Sequence, residues 1–190
     1  LWEHPDWLER LRPGIEYLIK DSHPVVRVAA IEACLPVINI NKDLAVDWFV
    51  TACQDDIRVA ASRHAVYYFN SCIQSHFEKL SPIILRMLDS ENSEVAEEGA
   101  LEVCARWLFF DMFKDELEKC KIGSIAQRKG IAKIASQFLK DEKYTSKCRE
   151  LLIPLLDDNE HDVRAETNKA FFHEPNILNI PDIMDFLITY

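Results

Sequence analysis

A short motif recurs along the whole chain, and this repetition limits the folds open to the sequence more than any other feature. In each copy, a polar turn precedes an apolar anchor residue. The anchors are separated by 31, 38, 30 and 38 residues: Val26, Ile57, Val95, Ile125 and Val163. A period of about 34 residues is typical of proteins in which each repeat is one pair of helices. The sequence therefore predicts an array of helix pairs.

The residues around each anchor have the properties of closely packed helices. Asp and Ser side chains in the turns can accept hydrogen bonds from the free N–H groups of a first helical turn. A small residue follows the anchor by four places in three copies, at Ala30, Ala61 and Gly99. Because residues four apart share one helix face, a small side chain there lets a neighbouring helix approach closely. We therefore expect an antiparallel helix pair in each repeat.

Apolar residues at helical spacing predict the bounds of these helices. The first helices of the pairs are predicted at Leu8 to Ile19, Leu44 to Cys53, Phe77 to Leu88, Phe109 to Leu117 and Cys148 to Leu156. The second helices are predicted at Pro24 to Val37, Ile57 to Ile73, Ser93 to Phe110, Ser124 to Leu139 and His161 to Phe172. Only 4 of the 190 residues are glycine. Such scarcity disfavours sheets joined by tight turns and favours an all-α fold.

The repeated motif, Asp-x-x-(x)-Val-Arg-x-x-Ala, resembles that of the HEAT-repeat family of α-solenoids, including its PBS-lyase-like variants. Three copies carry it: Asp21/Val26/Arg27/Ala30, Asp55/Ile57/Arg58/Ala61 and Asp158/Val163/Arg164. The copies at Val95 and Ile125 have Ala96 and Ala126 in place of the Arg, so those two repeats rest on the helix pattern alone. The resemblance implies a right-handed α–α superhelix, or solenoid, of about five HEAT-like helix pairs.

The resemblance covers nearly the whole chain as a single array over residues 1–190. Its repeats are expected at about 5–37, 42–73, 76–110, 111–140 and 141–173, with a partial repeat at 176–190. The chain begins without Met and ends inside an apolar periodic segment. We therefore expect a piece of a longer protein, with some self-association through the cut ends because repeat arrays need polar caps.

The resemblance also implies a structural role for the charged residues of the motif. In HEAT-like arrays the motif Arg bonds an Asp between the helices of its own or the adjacent repeat, through charge-assisted hydrogen bonds. The expected members of this structural ladder are Asp21, Arg27, Asp55, Arg58, Asp158 and Arg164. We expect them to hold the repeats together and not to bind a ligand.

Motifs for nucleotide binding, hydrolysis or metal binding are missing from the sequence. It contains no GxxxxGK[ST], GxGxxG, GxSxG, HExxH or CxxC string. The six cysteines are evenly spread and are predicted to be reduced thiols in the core. The His173-Glu174 pair resembles those of the di-iron branch of HEAT-like proteins, but one pair is too few for a metal site. We expect no enzymatic activity and no cofactor.

Charge is distributed unevenly in this chain, whose net charge is −10. Residues 86–102 hold six acids and one base, whereas residues 119–143 hold seven bases and two acids. The first interpretation pairs Glu97 or Glu98 with Arg128 or Lys129 in the next repeat. The second is a bipolar binding groove. The third is phosphate binding by Arg128, Lys129 and Lys133, as on the basic face of the HEAT-like alkylpurine glycosylases, although the acidic total opposes it.

Aromatic residues cluster in the second and third predicted repeats, where most are expected in the core. Tyr67 lies beside the apolar stripe that ends at Tyr68, one turn after Arg63. Since Tyr and Arg are enriched where proteins bind partners, we predict that both are exposed contact residues. The predicted partner-binding residues are Arg63, Tyr67, Glu98, Arg128, Lys129 and Lys133.

These features predict a non-catalytic module for protein–protein interaction, scaffolding or sensing within a larger multidomain cytosolic protein. Its expected partner is another protein or a neighbouring domain of the same chain. The alternative is a HEAT-like domain that binds nucleic acid. The sequence has no run of about 18 apolar residues and no signal peptide, so we expect a cytoplasmic location and no membrane partner.

Overall fold

Amphipathic stretches account for most helices of the structure, a computed structural model that describes residues 4–172. The α-helices of these residues are α1 (Leu8–Ile19), α2 (Pro24–Ala33), α3 (Val37–Ile40), α4 (Lys42–Cys53), α5 (Ala65–Cys72), α6 (Phe77–Leu88), α7 (Ser93–Phe110), α8 (Lys114–Lys121), α9 (Ile125–Phe138), α10 (Thr145–Leu156) and α11 (His161–Phe172). Two 3₁₀ turns lie at Pro5–Trp7 and Ile57–Val59. No strand occurs between residues 4 and 172, so the predicted all-α class is confirmed.

Polar side chains determine where several of the helices begin. Ser124 Oγ accepts a hydrogen bond from the Gln127 N–H at 3.2 Å, while Gln127 Oε1 accepts one from the Ser124 N–H at 2.9 Å. In front of α4, the Asn41 side chain accepts a hydrogen bond from the Leu44 N–H at 3.0 Å. These bonds satisfy N–H groups that have no partner within the first helical turn.

Most predicted helix bounds agree with the structure. The predictions for α1, α6, α7 and α11 match the observed bounds, and those for α4, α9 and α10 differ by at most three residues at an end. The predictions at 24–37, 57–73 and 109–117 are wrong, because each of those stretches contains an interruption. The three interruptions have separate physical causes.

The predicted helix at 57–73 has tight turns over its first eight residues. The N–H groups of residues 59–62 donate to carbonyl oxygens three residues earlier, which is the 3₁₀ pattern. Asp56 Oδ1 accepts a hydrogen bond from the Arg58 N–H at 3.0 Å, and the Arg58 side chain also donates to Asp56. Such local side-chain bonds stabilise a turn in competition with an α-helix. The α-helical part, α5, therefore begins at Ala65.

The predicted helix at 24–37 ends early, at Ala33. Pro36 has no N–H to donate and disfavours helical geometry at the residue before it, so the chain bends before the short helix α3. The Tyr68 hydroxyl donates a hydrogen bond at 2.7 Å to the carbonyl oxygen of Ile31, in the last turn of α2. Carbonyls in a last turn lack partners within their own helix. This buried bond ties α5 to the end of α2.

The stretch predicted as one helix at 109–117 is divided between α7 and α8. Asp111 and Phe113 lie in the left-handed region, with φ of 57° and 58°, which ends the helical path. Lys147 Nζ, from α10, donates to Asp111 Oδ1 at 2.6 Å and lies 3.5 Å from two carbonyl oxygens at the end of α7. The turn is therefore held from a distant part of the sequence.

The chain divides into two compact units, the first within residues 1–99 and the second within residues 100–190. In the first unit, the Phe49 ring stacks on Tyr68 with ring centres 4.5 Å apart and meets Phe69 edge-on at 5.4 Å. In the second unit, Phe109 meets Phe138 and Tyr144 edge-on at 4.8 and 5.2 Å. A single array over residues 1–190 stays a prediction, and the partial repeat at 176–190 lies outside the described residues.

Candidate functional site

The ladder residues of the first repeats form ion pairs and turn hydrogen bonds. Arg27 is buried, and its Nη1 lies 3.8 Å from Asp55 Oδ2, in the turn of the next predicted repeat. Asp21 instead shapes its own turn, because its Oδ1 accepts a hydrogen bond from the His23 N–H at 2.8 Å. Arg27 therefore connects two predicted repeats within the first unit.

Arg58 pairs within its own turn. Its Nη2 donates to Asp56 Oδ2 at 2.6 Å and its Nε to Asp56 Oδ1 at 2.9 Å. The hydrogen bonds from Arg58 lower the pKa of Asp56 below its ordinary value. The Arg58 side chain is 61% exposed and the Asp56 side chain 16%, so solvent screens the Arg58 charge and we expect the pair to contribute little to stability.

Arg128, predicted as a partner-binding residue, forms hydrogen bonds inside the second unit. Its Nε donates to Asp158 Oδ2 at 2.6 Å and its Nη2 to Asp158 Oδ1 at 3.1 Å. Its Nη1 donates to the carbonyl oxygen of Gly123. The side chain is only 17% exposed. The structure thus gives Arg128 the bonding pattern that the sequence predicted for the motif arginines.

Asp158 is the centre of this second cluster. Its Oδ1 accepts from the Glu160 N–H at 2.9 Å, and Arg164 Nη1 donates to the Asp158 carbonyl oxygen at 2.5 Å. Burial by itself raises the pKa of Asp158, but the hydrogen bonds and the charges of Arg128 and Arg164 outweigh it and lower the pKa below its ordinary value. Asp158 therefore stays ionised in the turn before α11.

Replacing Arg128 with Met should lower the free energy of unfolding by about 1.5–3 kcal/mol, the range for hydrogen bonds to charged groups. The reason is that Asp158 would keep a mostly buried charge without its main partner. Because the folded pKa of Asp158 is lowered, its contribution is present above about pH 4 and is lost as the pH falls through that lowered value. Urea denaturation at several pH values measures this, with Lys119→Met as the exposed control. An equal effect of both substitutions would contradict the structural role.

The remaining predicted contact residues are divided between the two units. Lys129 and Lys133 lie one helical turn apart on α9, and both are half-buried. Glu98 lies in the first unit and lines a shallow cavity of about 360 Å³ together with Arg58 and Asn92. Within the first unit, Glu98 therefore lines a different cavity from Arg63 and Tyr67.

Arg63 and Tyr67, by contrast, line the same groove in the first unit. This groove, here called the α2–α5 groove, has a volume of about 590 Å³. One wall, from α2, α3 and the bend between them, includes Glu32, Leu35 and Ile38, and the other includes Arg63, His64 and Tyr67. The Tyr67 side chain is 55% exposed. The sequence-based pairing of Arg63 with Tyr67 therefore corresponds to a cavity.

A charged cluster lies on the wall of the α2–α5 groove. Arg63 Nε donates to His64 Nε2 at 3.0 Å, and Glu32 Oε2 lies 3.2 Å from the same nitrogen. Neutral His64 accepts the bond from Arg63 at Nε2, whereas protonated His64 donates from Nε2 to Glu32. Because both contacts use the same nitrogen, only one of them is a hydrogen bond in a given protonation state.

Both walls of the α2–α5 groove exist because two predicted helices are interrupted. The bend after Ala33 places Leu35 and Ile38 on one wall, and the turns before Ala65 place Arg63 and His64 on the other. The Tyr68 hydroxyl bond to Ile31 connects α5 to α2 next to the groove. Sequence reasoning missed Glu32, Leu35 and Ile38, and the one signal that pointed to a bend there was Pro36.

The described residues give little support for a cysteine nucleophile or a metal site. All six cysteines are free and buried, which confirms the predicted core thiols. Burial raises the pKa of Cys34 and of Cys148 to about 12, so the reactive thiolate is disfavoured. Between residues 4 and 172, no group of three His, Cys, Asp or Glu side chains is arranged to hold a metal ion. The His173-Glu174 pair lies outside these residues.

Comparisons of the chain with protein-family models, with curated proteins and with solved structures found no match. Within the part of the chain that the structure describes, no helix has both the length and the apolar character needed to cross a lipid bilayer.

Proposed function

We propose that this chain is a HEAT-like α-solenoid module that binds another polypeptide and catalyses no reaction. The observation that carries the proposal is the α2–α5 groove, with the exposed side chains of Tyr67 and Arg63 on its wall. The repeated motif and the helix pairs on either side of its turns support the solenoid part. A cytoplasmic location belongs to the same proposal.

The form of the groove favours a polypeptide over a small molecule. Its volume of about 590 Å³ is in the range of ligand sites, but it is open to solvent, whereas small-molecule sites enclose most of their ligand. Half-buried Leu35 and Val66 offer apolar surface, and Tyr67 offers an exposed ring. Tyr and Arg beside apolar contacts are the residues that dominate binding energy at protein interfaces.

The position of the groove fits the proposed array. α2 and α5 occupy the second-helix positions of the first two predicted repeats. In helical repeat arrays, the second helices together build an extended concave surface that binds partners. The groove would then be one pocket on a longer recognition surface.

Nucleic-acid binding through Arg128, Lys129 and Lys133 is the weaker alternative. Binding of this kind needs cations that can contact phosphates and release counterions. Arg128 already bonds Asp158 and the Gly123 carbonyl oxygen, and breaking these bonds would cost stability. A titration with duplex DNA at low salt tests the alternative, and binding that weakens steeply with added salt would favour it.

Replacing Tyr67 with Ala should weaken peptide binding at the groove at least tenfold, because an exposed aromatic side chain on a groove wall supplies a large share of contact energy. The probes are dodecapeptides selected from a phage-displayed library on the wild-type protein, with affinities measured by calorimetry. The matched control is Tyr17→Ala, which removes a tyrosine that is 75% exposed on α1. We expect the control to bind as the wild type does and both variants to keep the wild-type melting temperature.

Two results would argue against the proposed function. Selected peptides that bind the Tyr67→Ala variant as tightly as the wild type would show that the groove is not the binding site. A library that yields no peptide with measurable affinity would argue against peptide binding by this chain.

A further inference from the structure

The geometry points to a specific partner chemistry for the α2–α5 groove: a peptide segment in which a large apolar side chain is flanked by carboxylates. This inference rests on the proposed function, and it adds the class of ligand. The apolar side chain would fill the groove beside Tyr67, and a carboxylate would bind the guanidinium of Arg63.

Part of the groove lining is apolar. Ile38 is buried, Leu35 and Val66 are half-buried, and the Tyr67 ring is exposed beside them. Covering such surface removes apolar area from water, which favours binding in proportion to the area covered. A side chain the size of Phe or Leu gains more from this surface than a polar one does.

The walls of the groove also carry charged side chains. The groove lining has two permanently charged side chains, Glu32 and Arg63. Glu32 already faces His64 Nε2 at 3.2 Å. Arg63 uses its Nε for His64, and none of the hydrogen bonds and ion pairs among the described residues involves its Nη1 or Nη2. The groove therefore offers a guanidinium with two nitrogens available for a ligand.

The geometry of the Arg63 guanidinium suits a carboxylate. Arg presents its N–H groups in a planar fork that matches the two oxygens of a carboxylate. When His64 is neutral, the bond from Arg63 Nε to it restricts the Arg63 side chain before any ligand arrives, which reduces the entropy lost on binding. A peptide with a carboxylate next to a large apolar side chain fits both the apolar surface and the Arg63 guanidinium. A cationic peptide would be repelled by Arg63.

The test uses three fluorescein-labelled nonapeptides with a central Phe, flanked on both sides by Glu, by Gln or by Lys. We expect the Glu-flanked peptide to bind the wild-type protein about tenfold more tightly than the Gln-flanked one and the Lys-flanked peptide to bind most weakly. Replacing Arg63 with Gln should remove the preference for Glu over Gln, and Arg63→Glu should reverse the order. The control Arg10→Gln removes an exposed arginine outside the groove and should leave the order unchanged.

A fourth peptide, with Glu flanks and a central Ala, tests the apolar anchor and should lose most of the affinity. Equal binding of the Glu- and Gln-flanked peptides, with both lost in Tyr67→Ala, would overturn the inference and leave the proposed function standing. Tightest binding of the Lys-flanked peptide would also overturn it, because Glu32 would then be the recognition group. Failure of all four peptides would overturn it too, while the library selection judges the proposed function separately.

Discussion

Replacing Glu102 with Leu should lower the free energy of unfolding by about 3–5 kcal/mol, the range found when one partner of a buried ion pair is removed. Glu102 and Arg106 lie one turn apart on α7, with Glu102 Oε2 and Arg106 Nη2 2.9 Å apart. Their side chains are only 5% and 2% exposed. The variant would therefore remove the carboxylate that lies 2.9 Å from a guanidinium in the core.

The pKa of Arg106 indicates that burial in the core disfavours its charge. Burial lowers the pKa of Arg106 below its ordinary value, although the charge of Glu102 and a hydrogen bond to it act in the opposite direction. The Arg106 guanidinium also lies over the Phe110 ring, 5.9 Å from its centre. Glu102 thus offsets part of the cost of a buried charge, and its loss should have a large effect.

A double-mutant cycle separates the ion pair from simple loss of packing. The variant Glu102→Leu/Arg106→Met replaces both charges with apolar side chains of similar size, which in other proteins is often neutral or stabilising. We expect it to recover most of the stability lost in Glu102→Leu, as measured by urea denaturation. Arg12→Met, at the exposed Arg12–Glu16 pair of the same spacing, is the control and should have little effect. Additive losses in the double variant would contradict this account.

Local sequence signals were sufficient to predict the helices whose caps and buried faces lie within a short stretch of the chain. α6 combines apolar residues at helical spacing with Asp89 just after its last turn, and both features can be read from a short window. α7 likewise begins after Asn92, whose side chain accepts a hydrogen bond from the Glu94 N–H at 3.0 Å. Such helices are predictable because their caps and their buried faces lie within a few residues of each other.

Two of the three interruptions also involve contacts between residues distant in sequence, which a short window does not show. The end of α2 is stabilised by the hydroxyl of Tyr68, 37 residues away. The left-handed turn after α7 is held by Lys147, 36 residues beyond Asp111. Neither contact leaves a signal in a short window. The α2–α5 groove could therefore not be derived from the sequence, even though two of its wall residues were predicted as contacts.

The same distinction applies to the arginines. Arg128 was predicted to bind a partner because it lies in a basic segment, but the distance between Arg128 and Asp158 in the folded chain decides its role. Arg63 lies beside an aromatic residue and has no such acidic partner within its turn. Charge counts along a sequence do not show which cations are already paired, so the bond from Arg128 to Asp158 could not be seen there, and the contacts at Arg63 and Arg128 both stay predictions.

Replacing Gly99 with Ala should lower the free energy of unfolding by about 1–3 kcal/mol, although alanine is the better helix former. A Cβ atom at Gly99 would lie 2.7 Å from the Leu88 backbone nitrogen and 2.9 Å from the Met87 backbone carbon. These neighbours belong to the end of α6 and cannot rotate away as a flexible side chain can. The close helix approach that the sequence predicted at Gly99 is thus confirmed, and it makes the position intolerant of any larger residue.

Gly14→Ala is the matched control and should have the opposite sign. Gly14 lies inside α1, and a Cβ atom there would meet nothing within 4 Å. Replacing an unhindered helical glycine stabilises a protein by about 0.5–1 kcal/mol, because the unfolded chain loses conformational freedom. Thermal and urea denaturation of both variants measure the difference. If Gly99→Ala stabilised the protein as Gly14→Ala does, α6 and α7 would have to separate without cost, and the packing described for the first unit would be incorrect.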